Sequence, residues 1–279
     1  MNVNYPKFSV LMSLYIKEKA EYFEECIKSI LNQTVLPAEI VIVFDGPISE
    51  ELLKVVNDYQ SKYSNIIKLI KNEQNKGLGL ALADGIPQCS YNLIARMDTD
   101  DIARSDRFEK QLLEFIKDPS LDICGSHIIE FDGDISNTVS KRKVPLQHDE
   151  IAKYQKKRDA FNHMTVMYKK SSVLKAGNYL DVPLMEDTSL WVRMLICGAK
   201  CMNIDDYLVY VRVGMSMIKR RGGWDYFKKY RKARKQILQT GYISYWDYII
   251  TIIVQLVVSL IPKKVRLLIF TKLLREKIK

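Results

Sequence analysis

A chain of 279 residues with 47% apolar and 27% charged side chains is long enough to bury one sizeable core, and its composition excludes both a disordered chain and a polytopic membrane protein. The net charge of +10 is carried by the end of the chain: residues 219–279 hold 16 basic and 3 acidic side chains, so nucleic acid is not expected as a partner of the whole protein. Five cysteines without a CxxC pair read as reduced core residues, and the polar start from Met1 to Lys7 carries no secretory signal, so a cytoplasmic chain is expected.

In chain order, Phe8 to Leu14 is an apolar run suited to a central strand, and the sequence turns polar over residues 15–19 where that strand leaves the core. Phe23, Ile27, Ile30 and Leu31 fall at i, i+4, i+7 and i+8, which predicts an amphipathic helix over residues 20–31. Glu39 to Phe44 is a second strand closing on Asp45-Gly46-Pro47, and Ser49 caps a helix to Lys62. Residues 66–70 read as a third strand, 77–86 as a helix entered through Gly77-Leu78-Gly79, and 92–97 as a fourth strand. Asp106 is placed to cap a helix whose Phe108, Leu112 and Phe115 share one face. This alternation predicts an α/β fold: a mostly parallel sheet flanked by helices, with ligands beyond the carboxyl ends of the strands.

Past Pro119 the pattern predicts short strands over 122–126 and 127–131, a loop around Gly133, the basic stretch Lys141-Arg142-Lys143, a strand over 162–167 and a helix from Ser171. Met185-Glu186-Asp187-Thr188 then introduces a helix with Leu190 and Met194 inward. The end of the chain opens on Arg220-Arg221-Gly222-Gly223, continues as a basic helix from Tyr226 to Gln239, and becomes aromatic and apolar from Tyr245 to Ile261. Its unbroken apolar run of about 14 residues is short of the roughly 20 a spanning helix needs. Residues 265–279 alternate apolar and basic side chains, as a helix on an anionic membrane surface does, although a helical pair packed on protein has the same pattern. The expected division is a body over 1–218, with halves 1–118 and 119–218, and a membrane-associated extension over 219–279.

The chemistry gathers at Arg96-Met97-Asp98-Thr99-Asp100-Asp101, where a strand is expected to end. Three carboxylates this close repel one another unless a cation neutralises them, and oxygen ligands favour Mg²⁺ or Mn²⁺; a solvated acidic turn is the plainer alternative. Ser13 and Asp45 stand at two other strand ends and are expected to converge on the same edge. Helix capping is the plainer account of Asp187. The chain has no GxxxxGK[ST] loop, no GxSxG elbow and no HExxH pair, and Leu82 stands where a dinucleotide fingerprint needs its third glycine. The three histidines are too scattered to form a metal cluster, and His127 and His148 read as structural.

Taken together, Ser9 to Tyr15, Ser29-Ile30-Leu31-Asn32-Gln33-Thr34, Val43-Phe44-Asp45-Gly46, Asp98-x-Asp100-Asp101 and Glu186-Asp187 ahead of Leu190-Trp191 resemble the family 2 glycosyltransferases of GT-A fold, over about residues 8 to 212. The stretches SILNQT, DGPIS, RMDTDD, NHMTVM and RRGG are similar to the branch that builds bacterial exopolysaccharide, capsule and O-antigen units. The resemblance implies inverting transfer of a hexose, galactose or glucose, from a UDP-sugar donor with Mn²⁺ or Mg²⁺. It places Ser13 and Asp45 against the uracil, Asp98 and Asp100 at metal and ribose with Asp101 as a third metal ligand, Asp187 as the base and Glu186 beside it. Phe44 stands where the family commonly has an acid, and Tyr15 is not followed by the family's usual asparagine. Arg220 and Arg221 are expected to close over the diphosphate, with contact to the membrane or solvent surface as the equal alternative. A membrane-bound end implies a polyprenyl-diphosphate-linked saccharide as acceptor, met at the inner face of the cytoplasmic membrane by Lys141 to Lys143 or the basic helix. The rival readings are a nucleotidyltransferase of similar fold and a non-enzymatic adaptor binding membrane or nucleic acid.

Overall fold

The computed structural model describes residues 3–213 and 222–261. Strands β1 (Phe8–Leu14), β2 (Glu39–Phe44), β3 (Ile67–Lys71) and β4 (Leu93–Arg96) lie in the order β3-β2-β1-β4, all parallel. Helices α1 (Ala20–Leu31), α2 (Glu50–Lys62) and α3 (Leu78–Gln88) make the crossovers. Both faces of this half-sheet are covered. Val10, Met12, Ile40 and Ile42 pack with Phe23, Ile27 and Leu52 on one side, while Leu11, Val41 and Val43 pack with Leu82, Ile86 and Trp191 on the other. Burial on two faces is why these strands are continuous apolar runs rather than alternating ones.

Beyond β4 the sheet becomes mixed. After β5 (Ile102–Ala103) and α4 (Arg107–Lys117) come β6 (Leu121–Phe131), β7 (Thr138–Arg142), α5 (His148–Gln155), β8 (Met167–Lys169), α6 (Lys170–Lys175), α7 (Glu186–Ile196) and β9 (Lys200–Arg212). The order continues β4-β8-β6-β9-β5, with β7 hairpinned onto β6. Strand β8 is antiparallel to β4 and β6, whereas β9 runs parallel to β6. Helices α8 (Trp224–Gln239) and α9 (Tyr245–Leu260) form a hairpin joined to the body through Val182, Met185, Val192, Ala233, Ile237 and Ile243. Among the described residues, no helix is long and apolar enough to cross a membrane.

Three local expectations are corrected. Residues 122–131 form one strand that runs through Ser126-His127, and the register shift there comes from the extra residues 205–206 of β9. Residues 163–165 are a 3-10 turn rather than strand, because the buried Asn162 and Thr165 side chains bond back to Ser126. Asp106 does not cap α4 with its side chain: its carboxylate is taken by Arg104 and Lys110. Arg220, Arg221 and residues 265–279 lie outside the described residues.

Candidate active site

The parallel register places Leu11 beside Arg96 and Ser13 beside Val43, so Ser13, Asp45 and the acidic turn share the carboxyl edge of the sheet. The Ser13 carbonyl accepts from Thr99 Oγ1 at 3.5 Å. Asp45 is buried, and its carboxylate accepts from the Lys76 and Gly77 amides at 2.6 and 3.0 Å and from Asn75 Nδ2 at 3.0 Å. It fastens the loop ahead of α3 to this edge. Gly77 there has φ 88°, a left-handed conformation glycine adopts without strain. One turn on, a Cβ on Gly79 would lie 2.9 Å from Glu186 Cβ, so the bare glycine lets the start of α7 approach α3.

Asp98, Asp100 and Asp101 each offer a carboxylate oxygen within 4.8 Å of the others. Asp101 is 1% exposed; one oxygen accepts from the Arg212 amide at 2.9 Å, and Oδ2 is buried without a partner among the described residues. Burial, then the charges of Asp98 and Glu18, push Asp100 up to about 7, while burial and its two neighbours raise Asp101 well above the carboxylate range. A cation would reverse both shifts. Three converging oxygen ligands, one of them buried and unsatisfied, fit a hard divalent ion.

Asp187 lies in the first turn of α7 but does not cap it: the N-cap residue is Met185, and the Asp187 carboxylate accepts from the next amide, Thr188 N, at 2.7 Å. Burial first, then the charges of Asp159 and Glu186, raise it well above the carboxylate range. Asp159 accepts from the Thr188 hydroxyl. Glu186 is also raised by burial. A half-buried carboxylate with raised proton affinity at the start of a helix beside the carboxyl edge of the sheet suits a general base.

The sequence pattern assigned no role to four residues of this site. Arg96, 1% exposed, is ion-paired to Asp98, leaves Nε and Nη1 without partners among the described residues, and acts electrostatically on Asp100, Asp101, Glu186 and Asp187. It is the buried cation between the two acidic groups. Its signal was legible: a lone arginine closing the apolar run Leu93-Ile94-Ala95. Glu18 accepts from Thr99 Oγ1 at 3.0 Å and faces Asp98. Arg212 holds Asp101 through its amide and the Asp100 carbonyl through Nε at 3.2 Å. Arg212 and Asp159 reach the site across long sequence separations, and no local pattern announces them. His163 is buried on the Tyr179 hydroxyl at 2.8 Å, and burial and Arg96 keep it neutral.

Residues 9–174 match glycosyl transferase family 2. The UDP-Gal:alpha-D-GlcNAc-diphosphoundecaprenol beta-1,3-galactosyltransferase of Escherichia coli is 38% identical over 276 residues, 99% of this chain and 99% of that one. The amylovoran biosynthesis glycosyltransferase AmsE of Erwinia amylovora is 37% identical over 270 residues, 95% and 98% of the two chains. Among solved structures, the mannosyltransferase PcManGT from Pyrobaculum calidifontis, in complex with GDP-Man and Mn²⁺, superposes with a TM-score of 0.62 at 13% identity over 85% of this chain and 65% of that one, a likeness of GT-A fold. The chain belongs to glycosyl transferase family 2 and is a glycosyltransferase, which decides against the nucleotidyltransferase and adaptor readings.

Proposed function

We propose, from membership of that family, that the protein transfers a hexose, galactose in the first instance and glucose in the second, with inversion, from a UDP-sugar to a lipid-linked saccharide. The product would be an intermediate of a bacterial surface polysaccharide, whether O-antigen, capsule or exopolysaccharide. The observation that carries the reading is near-full-length similarity to the Escherichia coli galactosyltransferase, whose name specifies a UDP-Gal donor and a diphosphoundecaprenol-linked acceptor. The division into a catalytic body over 1–218 and a C-terminal extension over 219–279 belongs to the same proposal.

In this reading the acceptor hydroxyl oxygen attacks the anomeric carbon as the bond to the UDP oxygen breaks, and the hydroxyl proton passes to Asp187. Glu186 and Asp159 keep that carboxylate's proton affinity high, and Arg96 steadies its ionised form. Asp98, Asp100 and Asp101 would hold a divalent ion, Mn²⁺ or Mg²⁺, whose contribution when bound is neutralisation of the departing diphosphate. Ser13 and Asp45 would border the uracil, Asp45 by fixing the loop before α3, and Arg220 and Arg221 would meet the diphosphate. A cytoplasmic enzyme at the inner membrane face follows from such an acceptor.

The test is transfer from a UDP-sugar panel to a synthetic lipid-diphosphate sugar, comparing wild type with Asp100→Asn and Asp187→Asn. Both variants should lose turnover, with Asp187→Asn falling by about 10²- to 10⁴-fold and keeping donor binding, and Asp100→Asn losing metal-dependent donor binding. Full activity in Asp187→Asn would remove it as the base.

A further inference from the structure

Helix α9 is built inside out for a helix of a water-soluble body. Trp246, Ile250, Ile253, Val254, Val257 and Leu260 are exposed, from 44% at Ile250 to 73% at Trp246. At about 100° per residue they fall within one sector of roughly 120°. The opposite face, turned to α8, carries Thr251, Gln255 and Ser259 instead: Thr251 Oγ1 accepts from the buried Arg234 Nε at 3.2 Å, and Gln255 Nε2 donates to Ser259 Oγ at 3.1 Å. Ordinary helix docking puts the apolar stripe on the body and the polar one in water. Here a stripe of Thr251, Gln255 and Ser259 with Tyr248 does the docking, and a contiguous apolar face is left to something else.

Charge identifies the occupant. The adjoining α8 exposes Lys228, Lys229, Arg231, Lys232 and Lys235, and the sequence after α9 adds seven basic residues and one acidic over positions 262–279. A second copy of the chain would bring the same positive charge, whereas an anionic bilayer complements it. Length agrees: 16 residues make a helix of about 24 Å, too short for a hydrocarbon core of about 30 Å, so α9 lies in the surface rather than across it. Trp246, with Tyr245 beside it, supplies the aromatic end that prefers the headgroup level. The surface also continues into the site: α8 packs through Ala233 and Ile237 on Val182, Val192 and Met185, the N-cap residue ahead of Glu186 and Asp187.

We infer that the outward face of α9 is a monotopic docking surface for an anionic lipid bilayer, holding the start of α7 where a membrane-borne acceptor arrives. The inference rests on the lipid-linked acceptor proposed above, but its test does not. The full-length protein is floated with vesicles of phosphatidylcholine alone and of phosphatidylcholine mixed with phosphatidylglycerol, next to Ile253→Ser/Val257→Ser and Trp246→Phe. Wild type should float with the mixed vesicles, and the double variant should partition at least about tenfold less with an unchanged circular dichroism spectrum. Brominated lipid should quench the fluorescence of wild type and not that of Trp246→Phe. Absence of vesicle binding, or binding unchanged in the double variant, overturns the inference, as does a wild-type dimer that the double variant loses, which would assign the face to a second copy. Vesicle binding without sugar transfer would leave the surface standing and sink the function. Transfer to a short-chain soluble acceptor without vesicle binding would do the reverse.

Discussion

Arg96 sets the terms on which five carboxylates share one cleft. Its guanidinium is paired with Asp98 and acts on Asp100, Asp101, Glu186 and Asp187, yet one positive charge does not offset burial and mutual repulsion, and the proton affinities of those last four acids are raised. Asp187 is faced by Asp159 and Glu186, which raise its proton affinity, and by Arg96 and the Thr188 amide, which lower it, and burial tips the balance upward. The sign of the pH effect follows. Between roughly pH 4, where an unfolded aspartate titrates, and the raised native value, the folded chain binds the extra proton, so stability falls as pH rises through that window. The metal-free protein should therefore show a urea midpoint that declines as pH rises through that window, and Asp187→Asn should flatten the decline. The acid limb of kcat/KM should also lie above the ordinary carboxylate range. A urea midpoint indifferent to pH, in wild type and variant alike, would show that Asp187 is not held protonated.

The contact between α3 and α7 is the element-scale counterpart, because Gly79 sits against Glu186 with no room for a methyl group. Gly79→Ala lies in a helix, where alanine is intrinsically favoured by about 1 kcal/mol. The variant should nonetheless lower kcat by pushing Glu186 and Asp187 off their position, while donor affinity, proposed to rest on the Asp45 and Asp98 ends, stays close to wild type; steady-state kinetics against donor titration reads the split. Unchanged kcat would mean the two helices part without consequence. The alternation of β1 to β4 with their helices was legible because each is a local apolar period, and the convergence of Ser13, Asp45 and Asp98 followed from strand ends alone. The second half was less legible for physical reasons. The polar pair Ser126-His127 imitates a strand end although β6 runs through it, the extra residues 205–206 lying opposite in β9, and the turn at residues 163–165 is set by buried bonds to Ser126 made across 36 and 39 residues of sequence. The cap of α9 was not read although Ser244-Tyr245-Trp246-Asp247 spells a reciprocal one, with Ser244 Oγ accepting from the Asp247 amide at 3.0 Å.

At the scale of the whole molecule, the sheet carries Ser13, Asp45 and the Asp98–Asp101 turn on strand ends, whereas Glu186 and Asp187 begin a helix whose N-cap residue, Met185, packs against the C-terminal hairpin. Leu184, with φ 76°, and Met185 form the turn into that helix, and a bulky side chain in a left-handed conformation persists only where its surroundings hold it. Met185 packs against the α8–α9 hairpin, so the placement of Asp187 is tied to packing far from the sheet. Ile237→Ala, at a site 1% exposed in the hairpin cluster, should cost about 2–5 kcal/mol if the whole domain feels it, and should lower kcat while leaving donor affinity unchanged. Leu52→Ala, equally buried but between α2 and the other face of the sheet, is the control: a comparable fall in thermal midpoint with kcat preserved at temperatures where the protein is folded. Calorimetry and single-turnover kinetics on the two variants separate the cases. If Ile237→Ala lowers the midpoint and spares kcat as Leu52→Ala does, the hairpin is a passenger on the fold and Asp187 is positioned by the body alone.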